Sequence, residues 1–228
     1  MPDLEPSRLF DPRTSVILIG SNRALLNWVA YALVRSYPGG YLWGHVRLDG
    51  EVYDEDDLLR KHIIPPERFI SVEPNELKRD EFAGSVAVGG LARSEKDEEA
   101  IRQFSDFLRL PQQTQRLFSE LPRKGPTPIL VLSCAHRLAA LYTVEAVSPT
   151  LRSIVELGGS TLQIWADAPT SARLAFEHVL HLKRDELRNW KEAVLSVEKG
   201  WPTGPLRTGA EVRLGELPLV TTVLDHGP

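Results

Sequence analysis

The stretch "TSVILIGSNRALLNWVAYALV", residues 14–34, decides the fold. Its first part, "SVILIG" (15–20), is a continuous apolar, β-branched run ending in glycine, the pattern of a strand buried on both faces. Residues 21–37 predict a helix, because Leu25, Trp28, Val29, Ala32 and Leu33 recur at three-to-four spacing. Ser21 or Asn22 supplies its cap, and Pro38-Gly39-Gly40 stops it. Strand, glycine turn and helix together frame a phosphate-binding loop of spacing G-x-x-x-x-G-K-[ST]. In such a loop the second glycine lets backbone amides point at the phosphates, the lysine balances their charge and the hydroxyl holds magnesium. With Gly20 on the first glycine, Leu25, Leu26 and Asn27 occupy the last three places. An isobutyl group cannot replace an ammonium, and leucine lacks the backbone freedom of glycine. Arg23 is the only cation in the turn. The loop Gly20, Ser21, Asn22, Arg23, Leu25, Leu26 and Asn27 is therefore expected to be vestigial.

Outward from this frame, "YLWGHVRL" (41–48) predicts a second strand, "DEDDLLRKHI" (54–63) a short helix and "RFISVE" (68–73) a third strand. The glycine-rich, then charged stretch 74–96 predicts a loop, with one short strand at Ser85–Val88. From 97 to 121 the pattern is helical, divided by Pro111 into a kinked helix or two helices. "TPILVLS" (127–133) is a fully apolar strand, followed by the short helix "AHRLAALY" and a helix over 148–159. That second helix carries Pro149 in its first turn and Gly158-Gly159 at its end. A strand at 160–167 and a helical turn at 171–178 come next. "HVLHLKR", "EAVLSVEKG", "AEVRLG" and "PLVTTVL" read as short antiparallel strands. The expectation is an α/β, three-layer fold with a mostly parallel central sheet, helices on both faces and an antiparallel C-terminal β extension. An arm over 1–14 would precede one domain over 15–228, with the parallel core at about 15–168 and antiparallel strands at about 178–224.

Composition agrees with a globular domain: 228 residues, 42% hydrophobic and 25% charged. The single Cys134 excludes an intramolecular disulfide and a cysteine-based zinc site, and fits a reducing, cytoplasmic setting. A net charge of −4 does not suit a chain that coats nucleic acid over its whole surface. The longest apolar runs fall short of the roughly 18–20 residues of a membrane helix, so no membrane partner is expected. The polar, proline-bearing first residues read as a surface arm, neither a signal nor a transit peptide.

The strand "PILVLSCAHRL" is as informative as the loop. Where NTP hydrolysis needs an Asp or Glu to bind magnesium, it ends in Ser133, Cys134, Ala135 and His136. "SVILIGSNRALLNWVAYAL", this strand and the tail "LHLKRDELRNWKEAVLSVEKGWPTGPLRTGAEVRL" together resemble the RecA/KaiC-like ATPase superfamily, with degenerate Walker A and Walker B motifs. The resemblance covers about residues 14–224. It implies a RecA-type core, association through subunit edges, and work beside nucleic acid or signalling partners. The lysine, hydroxyl and acid of the family have no match, so ATPase activity is not implied.

Other constellations have plain readings. His178 and His181 lie three apart on a strand and leave opposite faces, which does not suit a metal pair. His45, His62 and His136 have no sequence-local partner. Cys134 and His136 invite a thiol nucleophile, but a cysteine ending a buried strand is usually a small hydrophobe. The acidic runs 54–57 and 95–99 suit helix starts. The apolar face of 97–122, with Phe104, Phe107, Leu117 and Phe118, suits packing on the sheet, with a partner groove or self-association as the alternative. Lys183, Arg184, Arg188 and Lys191 around Trp190, with Lys199 and Arg207, are the best nucleic-acid contacts, although Asp185, Glu186 and Glu192 interleave.

The leading expectation is a non-catalytic interaction or regulatory protein, a pseudo-ATPase acting by self- or hetero-association, with no catalytic residue, cofactor or metal. The alternatives are an accessory factor in DNA recombination or repair, touching single- or double-stranded DNA through the basic tail and loop 84–96, and a weak nucleotide binder holding phosphates with Arg23 and the backbone after Gly20.

Overall fold

The computed structural model describes residues 9–10, 13–35, 37–46, 63–72, 110–121, 127–133, 135–142, 144–183, 193–200 and 206–214. In chain order the elements are β1 (Ser15–Ile19), α1 (Arg23–Val34), β2 (Tyr41–Val46), a 3-10 turn (Pro66–Arg68), β3 (Phe69–Val72), α2 (Leu110–Glu120), β4 (Ile129–Ser133) and α3 (Ala135–Tyr142). There follow α4 (Val144–Glu156), β5 (Ser160–Trp165), α5 (Thr170–Ala175), β6 (His178–Leu182), β7 (Ala193–Lys199) and β8 (Glu211–Leu214). The sequence expectations at 54–62, 74–109 and 218–224 lie outside the described residues.

The strands form one sheet of order β3-β2-β4-β5-β1-β6-β7-β8 among the described residues. β1, wholly buried, lies between β5 and β6 and pairs in parallel with both. Ile19 is aligned with Trp165 on one side and His181 on the other. β6 thus belongs to the parallel part of the sheet, whereas the alternation of "HVLHLKR" assigned it to the antiparallel tail. The antiparallel extension is made by β7 and β8, of which β7 is the reversed strand. Period-2 alternation sets which side chains face inward; it does not set which neighbour a strand finds.

The chain leaves β1 toward β2 and β3 at one edge, then returns through β4 and β5 to β6. Right-handed crossovers of opposite travel place their helices on opposite faces. The core divides accordingly. On one face α1 packs through Leu26, Val29, Ala30 and Leu33 on Val16, Leu18, Trp43, Val131 and Ile164. On the other, α2, α3, α4 and α5 cover Ile17, Ile19, Leu42, Leu130, Leu132 and Val179. Strands apolar on both faces, such as β1 and β4, are what a sheet between two helical layers needs.

Local signals explain most element ends. Gly158, with φ at +104°, closes α4, and the Gly159 amide donates to the Ile154 carbonyl at 2.9 Å, a Schellman-type end. A β-carbon on Gly159 would meet the Phe118 ring at 2.5 Å, so the same turn lets α2 approach. Pro111 opens α2 as its second residue, where a missing amide costs nothing; the stretch before residue 110 lies outside the description. Pro149 corrects the expectation. α4 begins at Val144, so Pro149 stands inside the helix instead of in its first turn. The residues at 9–10 also differ from a surface arm: Leu9 and Phe10 are buried, and Phe10 meets the Tyr37 ring edge-on at 5.5 Å.

Candidate functional site

In parallel α/β sheets ligands bind beyond the C-terminal ends of the strands, where neighbouring connections leave for opposite faces. β1 and β5 form such a point: β1 continues into α1 on one face, β5 toward α5 on the other. The loop Gly20–Asn22 lies there. It is only three residues long, because β1 ends at Ile19 and α1 begins at Arg23. The helix therefore starts before the positions of Leu25, Leu26 and Asn27, which a phosphate cradle would use as its rim.

Three amides around the loop, those of Gly20, Leu25 and Leu26, are engaged. The Gly20 amide donates to the Trp165 carbonyl at 3.2 Å. Asn22 caps α1: its Oδ1 accepts from the Leu25 amide at 3.1 Å and its carbonyl from the Leu26 amide at 3.0 Å. Leu25 and Leu26 are 5% and 0% exposed and belong to the α1-side core. A β-carbon on Gly20 would sit 3.2 Å from both Leu26 Cδ2 and Leu182 Cβ. Glycine here leaves room for these two core side chains. Ser21, Asn22 and Arg23 are exposed.

Asn27, on the hydroxyl position, is 1% exposed, and neither its Oδ1 nor its Nδ2 has a hydrogen-bond partner among the described residues. At the end of β4, Ser133 stands where a magnesium-binding acid would. It is fully buried, and its Oγ lies 3.2 Å from His45 Nδ1 and 3.4 Å from the Gly44 carbonyl. His45, the next-to-last residue of β2, is aligned with it and stacks at a tilt on Phe69, ring centroids 5.9 Å apart. This pair joins residues 88 apart, so no local pattern could reveal it. Cys134 lies outside the described residues.

The basic tail is only partly described. Lys183 forms an ion pair with Glu211, and Lys199 donates to the carbonyls of Leu174, at 3.1 Å, and Phe176. Both ammonium groups are thus engaged within the molecule, Lys199 at the C-terminal end of α5 where a helix favours a cation. Arg207 is exposed. Arg184, Arg188, Trp190 and Lys191 lie outside the described residues.

A charged cluster was not legible in the sequence. Arg173 on α5 donates to the Ala168 carbonyl at 2.7 Å and to Glu198 on β7 at 3.1 Å, with Asp167 at 3.6 Å. His181 on β6 hydrogen-bonds the same Glu198 oxygen. With Lys199 this network ties α5 to the antiparallel extension. His178, on the other face of β6 from His181, is held down to about 4 by burial and then by the Lys199 charge. Tyr41 is pushed above its usual value, by burial first and then by the neighbouring Tyr31. No group of three or more His, Cys, Asp or Glu suited to a metal ion occurs among the described residues, and no described helix is long and apolar enough to cross a membrane.

No protein-family model matches the chain, and a search of curated proteins finds no match.

Proposed function

We propose that the chain is a RecA/KaiC-like domain that does not hydrolyse nucleotide and acts through association with a protein, a second copy of itself included. The observation that carries this reading is the closed start of α1. Asn22 takes the amides of Leu25 and Leu26, and the side chains at the glycine and lysine positions are core. The strand order supports the RecA-like part: the loop-bearing strand β1 lies between two parallel partners, and β4, with Ser133 in the acid's place, lies one strand away across β5. A triphosphate carries several negative charges, and a site lined by leucine offers nothing to balance them.

Two measurements on the full chain test the reading. Light scattering after gel filtration is expected to give a mass above the 25.5 kDa of one chain, alone or with a captured protein. A strictly monomeric chain that retains no protein partner contradicts the association. Phosphate release from ATP with magnesium is expected to equal the buffer blank; turnover removed by Arg23→Ala contradicts the loss of catalysis.

A further inference from the structure

We infer that the space between α1 and the ends of β2 and β4 is a buried binding site for water, shared by Asn27, Ser133 and His45. The first ground is chemical. An amide side chain brings two donors and an acceptor, and burying it unmatched forfeits hydrogen bonds it would make in water. Asn27 is 1% exposed, with neither end matched by a protein group among the described residues. Its neighbours on the helix, Leu25, Leu26, Val29 and Ala30, show that an apolar residue would suit the layer.

The second ground is geometric. Asn27 and Tyr31 are one turn apart on the same flank of α1. Tyr31 meets Tyr41 of β2 edge-on, ring centroids 6.3 Å apart, so this flank faces β2 and β4. α1 runs back against the strands from the end of β1. Four residues of helix rise about 6 Å and two residues of strand about 6.6 Å. Asn27 is therefore level with Trp43 and its partner Val131, one pleat short of His45 and Ser133. Helical side chains lean toward the helix N-terminus, which tilts the amide toward those two residues. His45 and Ser133 lie on the α1 side, since Trp43 and Val131 two residues earlier are in that core. Water is the guest these groups fit: a neutral amide, a hydroxyl and an imidazole offer both donors and acceptors and no formal charge that would select an ion.

A double-mutant cycle decides it. Thermal unfolding is measured for the full chain, Asn27→Leu, Ser133→Ala and the double variant. Groups sharing a bridging water lose it once, so the double variant's fall in Tm is expected to be clearly smaller than the sum of the single falls. Additive falls, or a rise in Tm for Asn27→Leu with no coupling to Ser133→Ala, overturn the site. Where a variant does not fold, a high-resolution crystal structure of the unaltered chain decides. A solvent peak is expected at hydrogen-bond distance, about 2.7–3.2 Å, from both the Asn27 amide and Ser133 Oγ. Asn27 turned onto a protein partner, with no peak between it and Ser133, overturns it.

Discussion

At the scale of single residues, Leu26 is where the proposed absence of nucleotide chemistry is most directly tested. It is fully buried against Gly20 in the α1-side core. Leu26→Lys restores the residue type that a phosphate loop needs, but in a place where its ammonium must be buried or the helix must move. The expected result is a loss of about 3 kcal/mol or more in chemical denaturation, with no gain in ATP affinity by calorimetry. A stable variant that binds ATP would show that the loop can still open. His178 makes a second residue-scale test. Its folded value of about 4 lies below the ordinary 6.5, so the folded protein binds fewer protons than the unfolded chain between them. The associated stability is fully present above pH 6.5 and is lost as pH falls toward 4, by at most about 3 kcal/mol. Urea midpoints across this window are expected to fall less steeply in His178→Gln than in the parent chain. Identical slopes would remove His178 as the cause.

At the scale of elements, legibility followed how local each signal is. The strand, turn and helix over 15–34 could be read because an apolar run, a capping residue and a Pro-Gly stop all act within a few residues. The α1 cap is Asn22, one of the two candidates read from the sequence. Partner choice was not legible: "HVLHLKR" alternates like an edge hairpin, yet β6 pairs in parallel with β1, 162 residues earlier along the register Val16–His178. The ties from Arg173 to Glu198 and from Ser133 to His45 were hidden for the same reason, since side chains far apart in sequence meet only through the sheet. α4 shows packing overriding propensity, with Pro149 held inside a helix by Val147, Leu151 and Ile154 in the core. Pro149 is exposed, so Pro149→Ala removes a missing donor without emptying any core. A gain of roughly 1–3 kcal/mol in urea unfolding is expected. An unchanged or lower stability would mean that the proline fits the helix start of this segment after all.

At the scale of the whole molecule, the described strands form one eight-stranded sheet with helices on both faces, and the side chains of Leu25 and Leu26 beyond the end of β1 belong to the core. Leu25 and Leu26 could be read from the sequence as apolar helix positions, and the fold buries both, but that Asn22 takes their amides is visible only once the turn is folded. The most direct test of this closure is the melting temperature of the full chain, with and without millimolar ATP and magnesium. A site with a dissociation constant a hundredfold lower than the ligand concentration would add about 2.7 kcal/mol, a rise of several degrees in a chain this size. The expected result is superimposable melting curves. A reproducible rise that disappears in Arg23→Ala would contradict the closed loop.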